Sequence, residues 1–150
     1  MIAIEVTGLA ELDEALRRLP DAIQTQVVRD SLKAAGQVLQ KGMETLAPRA
    51  ENHRVMRRGK PYPIPLSRSI GMRVSVARSQ ARVQVGPMQR AFWGRFQETG
   101  TRTMSAQPFM RPALEAFGGY ALEGFVTVAK TKLPDAIQTA NPQGGTGAGP

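Results

Sequence analysis

The segment from Pro20 to Pro48 constrains this chain most, because it allows one long helix and little else. Between those prolines, Ile23, Val27, Ala34, Ala35, Val38, Leu39, Met43 and Leu46 recur at helical spacings that gather them along one side. Asp21 supplies a first-turn acid, and Ala47-Pro48 stops the run. From about Ala22 to Leu46 such a helix spans about 38 Å at 1.5 Å per residue, long enough to cross a sheet and project beyond it. Gly36 and Gly42 each cost about 1 kcal/mol against alanine in a helix, which predicts a bend or a close helix contact near them.

The rest of the chain divides around that helix. Ile2, Ile4 and Val6 alternate with Ala3 and Glu5, the pattern of a short half-buried edge strand. Leu9, Leu12, Leu16 and Leu19 then form one apolar stripe of a first helix, closed by Pro20. Residues 49–65 show no period and carry three prolines, so they read as a loop or extended arm. From Ile70 the alternation returns in Met72, Val74 and Val76, and after a turn at Arg78-Ser79-Gln80 in Ala81, Val83 and Val85, which predicts an antiparallel hairpin over 70–86. Pro112 suits the first turn of a last helix that runs to about Leu133, with Gly118-Gly119 as its kink point. The expected fold is α+β: a small antiparallel sheet, built on the hairpin with the N-terminal strand and residues near 92–98, packed against the long helix and the C-terminal helix. Residues 1–133 form a single domain in this reading, 49–65 its basic arm, and 134–150 a Gly- and Pro-rich tail.

Composition narrows the function classes. A chain of 150 residues fits one domain with a real core. Without cysteine there is no disulfide framework, thiolate metal site or thiol nucleophile. The first residues lack the basic n-region and long apolar core of a secretory signal, and no membrane-spanning run is present, so cytoplasmic synthesis and no membrane partner are expected. His53, the single histidine, sits among arginines with only Glu51 near it in sequence, and the acids show no metal-ligand spacing. No Gly-rich phosphate loop follows a strand. A non-enzymatic protein with no cofactor and no metal is expected.

The net charge of +8 is concentrated. Residues 49–111 hold 13 basic and 2 acidic side chains, against 5 and 7 in residues 1–48 and 2 and 3 in residues 112–150. Such a block suits DNA phosphates, and equally acidic patches on a neighbouring protein or plain solvent. Within the arm, Arg49, Arg54, Arg57, Arg58 and Lys60 are the candidates to meet a partner or DNA.

The run from Phe92 to Ala113 concentrates the remaining signals. At helical spacing Phe92 and Phe96 share a face and are expected as core anchors, while Trp93 points elsewhere and is expected at an interface together with Arg95. Stacking of nucleic-acid bases on these rings is a third reading. Glu98-Thr99-Gly100-Thr101 reads as a turn whose glycine permits positive φ. Glu98, one of two acids in the basic block, is a candidate to pair with Arg111 or Arg95 on the same or a neighbouring subunit. Pro108 and Pro112 restrict Gln107 and Arg111 to extended geometry, so that Phe109 and Met110 anchor the loop to the core and Arg111, with Thr101, remains available to a partner.

These residues carry a resemblance. An aromatic-rich stretch (Phe92, Trp93, Phe96), then Glu98-x-Gly100-Thr101, then Ala106-x-Pro108-Phe109-Met110-Arg111-Pro112-Ala113 resembles tailed-phage neck and tail-completion proteins of the kind named after gene product ten of phage HK ninety-seven. Gly8-Leu9-x-x-Leu12 followed by a long helix ending in Ala-Pro is similar to that family's opening, and Leu66-Ser67-Arg68-Ser69-Ile70 to its Gly-x-Leu-x-x-Ser-Ile segment. A basic, proline-bearing insertion precedes the latter here. The resemblance implies a structural virion protein of the head–tail junction, neck or tail terminator, in a siphovirus-like phage or gene-transfer particle. Its partners would be copies of itself in a closed ring, six by implication, a head-closure or connector protein, the tail tube protein, and double-stranded DNA passing through the lumen. The competing class is a free, sequence-nonspecific DNA-binding protein.

Overall fold

In the computed structural model, residues 9–48, 55–57, 60–62, 65–77 and 80–141 are described. Among the described residues, four α-helices and two antiparallel strand pairs make an α+β fold: α1 (Leu9–Arg17), α2 (Asp21–Leu46), β1 (Val55–Arg57), β2 (Lys60–Tyr62), β3 (Ile70–Ala77), β4 (Gln80–Pro87), α3 (Trp93–Thr99) and α4 (Met110–Ala140). Short 3₁₀ turns at Leu66–Ser69 and Gln89–Ala91 lead into β3 and α3.

The long helix α2 is the axis of the molecule, with α4 packed along it and the β3–β4 hairpin laid across it. Two apolar clusters fix the direction of α4. Met43 and Ala47 at the end of α2 share one cluster with Phe109 and Ala113 at the start of α4, along with Leu66, Ile70 and Ala91. Val27, near the start of α2, shares the other with Ala129 and Ala136 near the end of α4, together with Leu12, Leu16 and Leu19 of α1 and its exit. The two long helices are therefore antiparallel, and α1 folds over their far end. The exposed ion pair Lys132–Asp30, 2.6 Å, joins the same ends.

Gly36 and Gly42 are sites of close approach. A Cβ on Gly36 would run into the thioether of Met72, and one on Gly42 into the ring of Phe117. Hairpin and α4 thus each sit on a bare stretch of α2 backbone. Ser31, fully buried between neighbours, satisfies its hydroxyl on the Val27 carbonyl one turn back at 2.8 Å. Gln40 donates from Nε2 to the Ile70 carbonyl at 3.0 Å and ties α2 to the start of the hairpin.

The β3–β4 ladder is antiparallel, with Ile70 opposite Pro87, Val74 opposite Val83 and Ala77 opposite Gln80. Met72, Val74, Val76, Val83 and Val85 are half-buried, while Arg73, Ser75, Arg82 and Gln84 face out. A lone hairpin is marginal in water, so its packing on α2 holds it in place. Residues 78 and 79, where a turn was expected, lie outside the described residues, as does the expected strand at 2–6.

Four expectations are corrected. Residues 92–98 do not extend the sheet: Trp93–Thr99 is helical, because its buried positions recur at helical rather than alternating spacing. The last helix begins before Pro112, so Arg111 is helical rather than extended. First-turn positions have no intrahelical N–H partner, and Pro112 costs nothing there. The last helix also does not end at Leu133, and the tail does not begin at residue 134. It continues through Pro134 to Ala140, and Ala136 is buried against α1. That burial outweighs the missing Pro134 N–H. Within 49–65, two three-residue strands pair antiparallel, with Arg57 opposite Lys60, where a loop or extended arm was expected.

Candidate functional site: the connection from α3 to α4

A steric contact sets the phase of α3. A Cβ on Gly94 would lie 2.6 Å from Pro87 Cγ and 2.9 Å from Leu66 Cδ1, so the glycine side of the helix presses against the end of the hairpin. Gly94 and Gln97 are buried on that side, and Trp93 flanks them, packed against the cluster of Met43, Ile70 and Phe109. Phe92, Arg95, Phe96 and Thr99, spaced i, i+3, i+4 and i+7, occupy the opposite face and are all exposed.

This arrangement reverses the expected roles of the aromatics. Phe92 and Phe96 are 55% and 46% exposed and are not core anchors. Their rings meet edge to face at 6.1 Å, and Phe92 meets Trp93 at 5.7 Å. Trp93, expected at an interface, is the ring seated on the core. Equal spacing placed Phe92 and Phe96 together, but which face is inward was decided by the residue without a side chain.

At the end of α3 the chain reverses. Gly100 takes φ 74° and ψ 173°, a conformation open essentially to glycine alone. Thr101 donates its N–H to the Met104 carbonyl at 2.8 Å, closing a tight loop, and Gln107 donates to the Gln97 carbonyl at 2.7 Å. Glu98 then closes the connection over a longer range. Its Oε2 accepts the N–H groups of Phe109 at 2.7 Å and Met110 at 2.9 Å, and its Oε1 accepts that of Arg111 at 3.1 Å. A carboxylate from a different helix thus takes the capping position that no side chain of the α4 N-cap residue, Phe109, supplies.

Burial pushes the Glu98 carboxyl up, but the three N–H groups and the nearby Arg111 charge together hold it below its ordinary value. The expected pairing of Glu98 with Arg111 is realised through the Arg111 backbone and charge, without a side-chain ion pair among the described residues. This carboxylate is engaged inside the chain and is not a free interface group. Phe109 is 1% exposed and Met110 packs against the same cluster, while Arg95, Thr101, Arg102 and Arg111 are exposed.

Beside Phe96 lies a pocket of about 220 Å³ lined by Trp93, Phe96, Gln97, Thr101, Thr103 and Met104. Gln97 is 9% exposed, and its Oε1 has no hydrogen-bond partner among the described residues. Of the basic block, Arg68, Arg73, Arg82, Arg95, Arg102 and Arg111 are exposed, and the ion pairs found among the described residues all lie outside it. Arg49, Arg54, Arg58, Glu51 and His53 lie outside the described residues, and Arg57 and Lys60 are described in backbone only. No group of three or more metal-ligating side chains occurs among the described residues, and no described helix is long and apolar enough to cross a membrane.

Comparison with protein-family models, curated proteins and solved structures gives no match.

The signal that sequence reasoning missed was Gly94. A lone glycine inside a short helical pattern marks a close backbone approach, and it would have assigned the inward face of α3.

Proposed function

We infer that this chain is a structural protein of a virion head–tail junction, a neck or tail-completion component of a siphovirus-like phage or gene-transfer particle. It joins connector to tail tube as a closed ring of identical subunits, six by the family resemblance, around the DNA channel. It is assembled in the host cytoplasm and works without catalysis. The observation that carries this reading is that the segment matching the family pattern folds as one unit. Glu98, Gly100, Phe109 and Met110 act together to fasten α3 to the start of α4. Motif residues that share one mechanical task support a match of kind rather than of composition.

The basic block supports the channel setting. Exposed arginines on the hairpin and on α3 offer sequence-independent attraction to DNA or to acidic faces of the adjoining rings. Deletion of the gene from a particle-producing host tests the reading: DNA-filled heads and free tails should accumulate unjoined, and the wild-type chain should restore joining. The double substitution Arg57→Glu and Arg58→Glu should fail to restore it while keeping the wild-type far-UV circular dichroism. Infectious particles formed without the chain would overturn the assignment.

The second reading, a free DNA-binding protein, is favoured by the same unpaired arginines. It expects duplex binding by the isolated chain whose log affinity falls with log salt by about 0.9 per phosphate contacted.

A further inference from the structure

Among the described residues nothing covers the exposed face of α3, yet it is built from interface residue types. Phe92 and Phe96 hold each other edge to face while more than 40% exposed, so covering them would bury apolar surface that folding leaves in water. Their backbone is held at several points: Gly94 is wedged against Pro87 and Leu66, and the loop after α3 is fastened at Gln97 and Glu98. Phe96 also forms one wall of the pocket of about 220 Å³. A cavity of about 150 Å³ already holds a benzene-sized group, so this pocket accepts one aromatic or branched aliphatic side chain.

Among the described residues, the exposed charges next to the pocket-lining residues in sequence have one sign. Arg95 lies on the Phe92–Phe96 face, and Arg102 lies between the pocket residues Thr101 and Thr103; both are exposed. The only carboxylate between Phe92 and Arg111 is Glu98, and it is consumed by three backbone N–H groups. Among the described residues the face therefore presents aromatics and cations with no counter-charge of its own.

We propose that this face docks an acidic protein segment, one apolar side chain of which enters the pocket beside Phe96 while its carboxylates meet Arg95 and Arg102. Aromatic and arginine side chains supply the anchoring contacts, and the complementary charge speeds the encounter and sets the orientation. The inference goes beyond the particle role and stands apart from it, since it specifies the chemistry of an occupant and not the assembly that supplies one.

The test uses the full chain and a fluorescent twelve-residue peptide of aspartate and glutamate with a central Leu-Phe pair. Comparison probes are the same peptide with Ser-Ser at its centre and a twelve-nucleotide oligothymidine. Sedimentation velocity of the chain alone runs in parallel. The expected result is saturable binding of the Leu-Phe peptide, at least tenfold weaker for the Ser-Ser peptide, for Phe92→Ser with Phe96→Ser, and for Arg95→Glu, and weakened by salt. Arg95→Glu, a change at an exposed helical position, keeps the test sound if the serine pair unfolds the chain. Absence of saturable peptide binding, or equal binding by the variants, overturns the proposal. Preferential oligothymidine binding through the same residues overturns it in favour of a single-strand site, and self-association abolished by the serine pair overturns it in favour of a second copy as occupant.

Discussion

A carboxylate that accepts three backbone N–H groups does the work of a helix cap from outside the helix, and Glu98 does so at the start of α4. Its replacement by glutamine keeps an acceptor but removes the charge, and should cost about 1–2 kcal/mol, the range of a lost cap. Urea unfolding at neutral pH measures this. Because its folded pKa lies below the ordinary glutamate value, the stabilisation is complete above about pH 4.3 and is lost as pH falls through the lower folded value. The difference between wild type and Glu98→Gln should therefore close on acidification, and a gap that stays constant down to acid pH would count against the charge. Gly100 is the second residue on which the connection turns. Gly100→Ala would force a side chain into φ 74° with its Cβ 2.9 Å from the Ala106 nitrogen, and should lower the unfolding free energy by about 1–3 kcal/mol. The positive φ at this glycine was legible in Glu98-Thr99-Gly100-Thr101. The partner of Glu98 was legible only as an arginine, because a bond to backbone N–H groups 11 to 13 residues away leaves no mark in side-chain identity.

At the scale of elements, α2 and α4 show how tertiary contact reverses a local preference. Helix propensity alone says that alanine stabilises any interior helical glycine by about 1 kcal/mol. At Gly42 the added methyl meets the Phe117 ring, whereas at Gly119 no atom lies within 4 Å. Gly119→Ala should raise the thermal midpoint, and Gly42→Ala should lower it through an overpacking cost of about 1–3 kcal/mol. Calorimetry on the two variants reads the opposite signs directly, and a rise in both would remove the close packing argued for α2. The end of α4 offers a similar contrast. Pro134 reads as a stop, yet Ala136 beyond it is buried with Leu12, Leu16 and Leu19. A chain ending at Leu133 should be less stable than one ending at Asn141 by about 1–3 kcal/mol, seen as an earlier urea midpoint. Equal midpoints would show that the last turns of α4 do not hold α1.

Across the whole molecule, what could be read in advance followed from period. The long helix between Pro20 and Pro48, the hairpin over 70–86 and the α+β class all rest on apolar residues recurring at 3.6 or at 2, and these patterns are local properties of the chain. The concentration of charge in 49–111 is local too, and so is the aromatic and proline signature at 92–113. Tertiary structure alone decided which face of α3 turned inward, and where α4 began and ended. It put Trp93 on the core and left Phe92 and Phe96 outside, because Gly94 let α3 approach the hairpin on one side only. It carried α4 past Pro134, because α1 offered apolar surface to cover, and it turned Glu98 from a candidate interface charge into an internal clasp. Period is fixed by the geometry of one segment, whereas facing and termination are settled by what a second segment, distant in sequence, brings into contact.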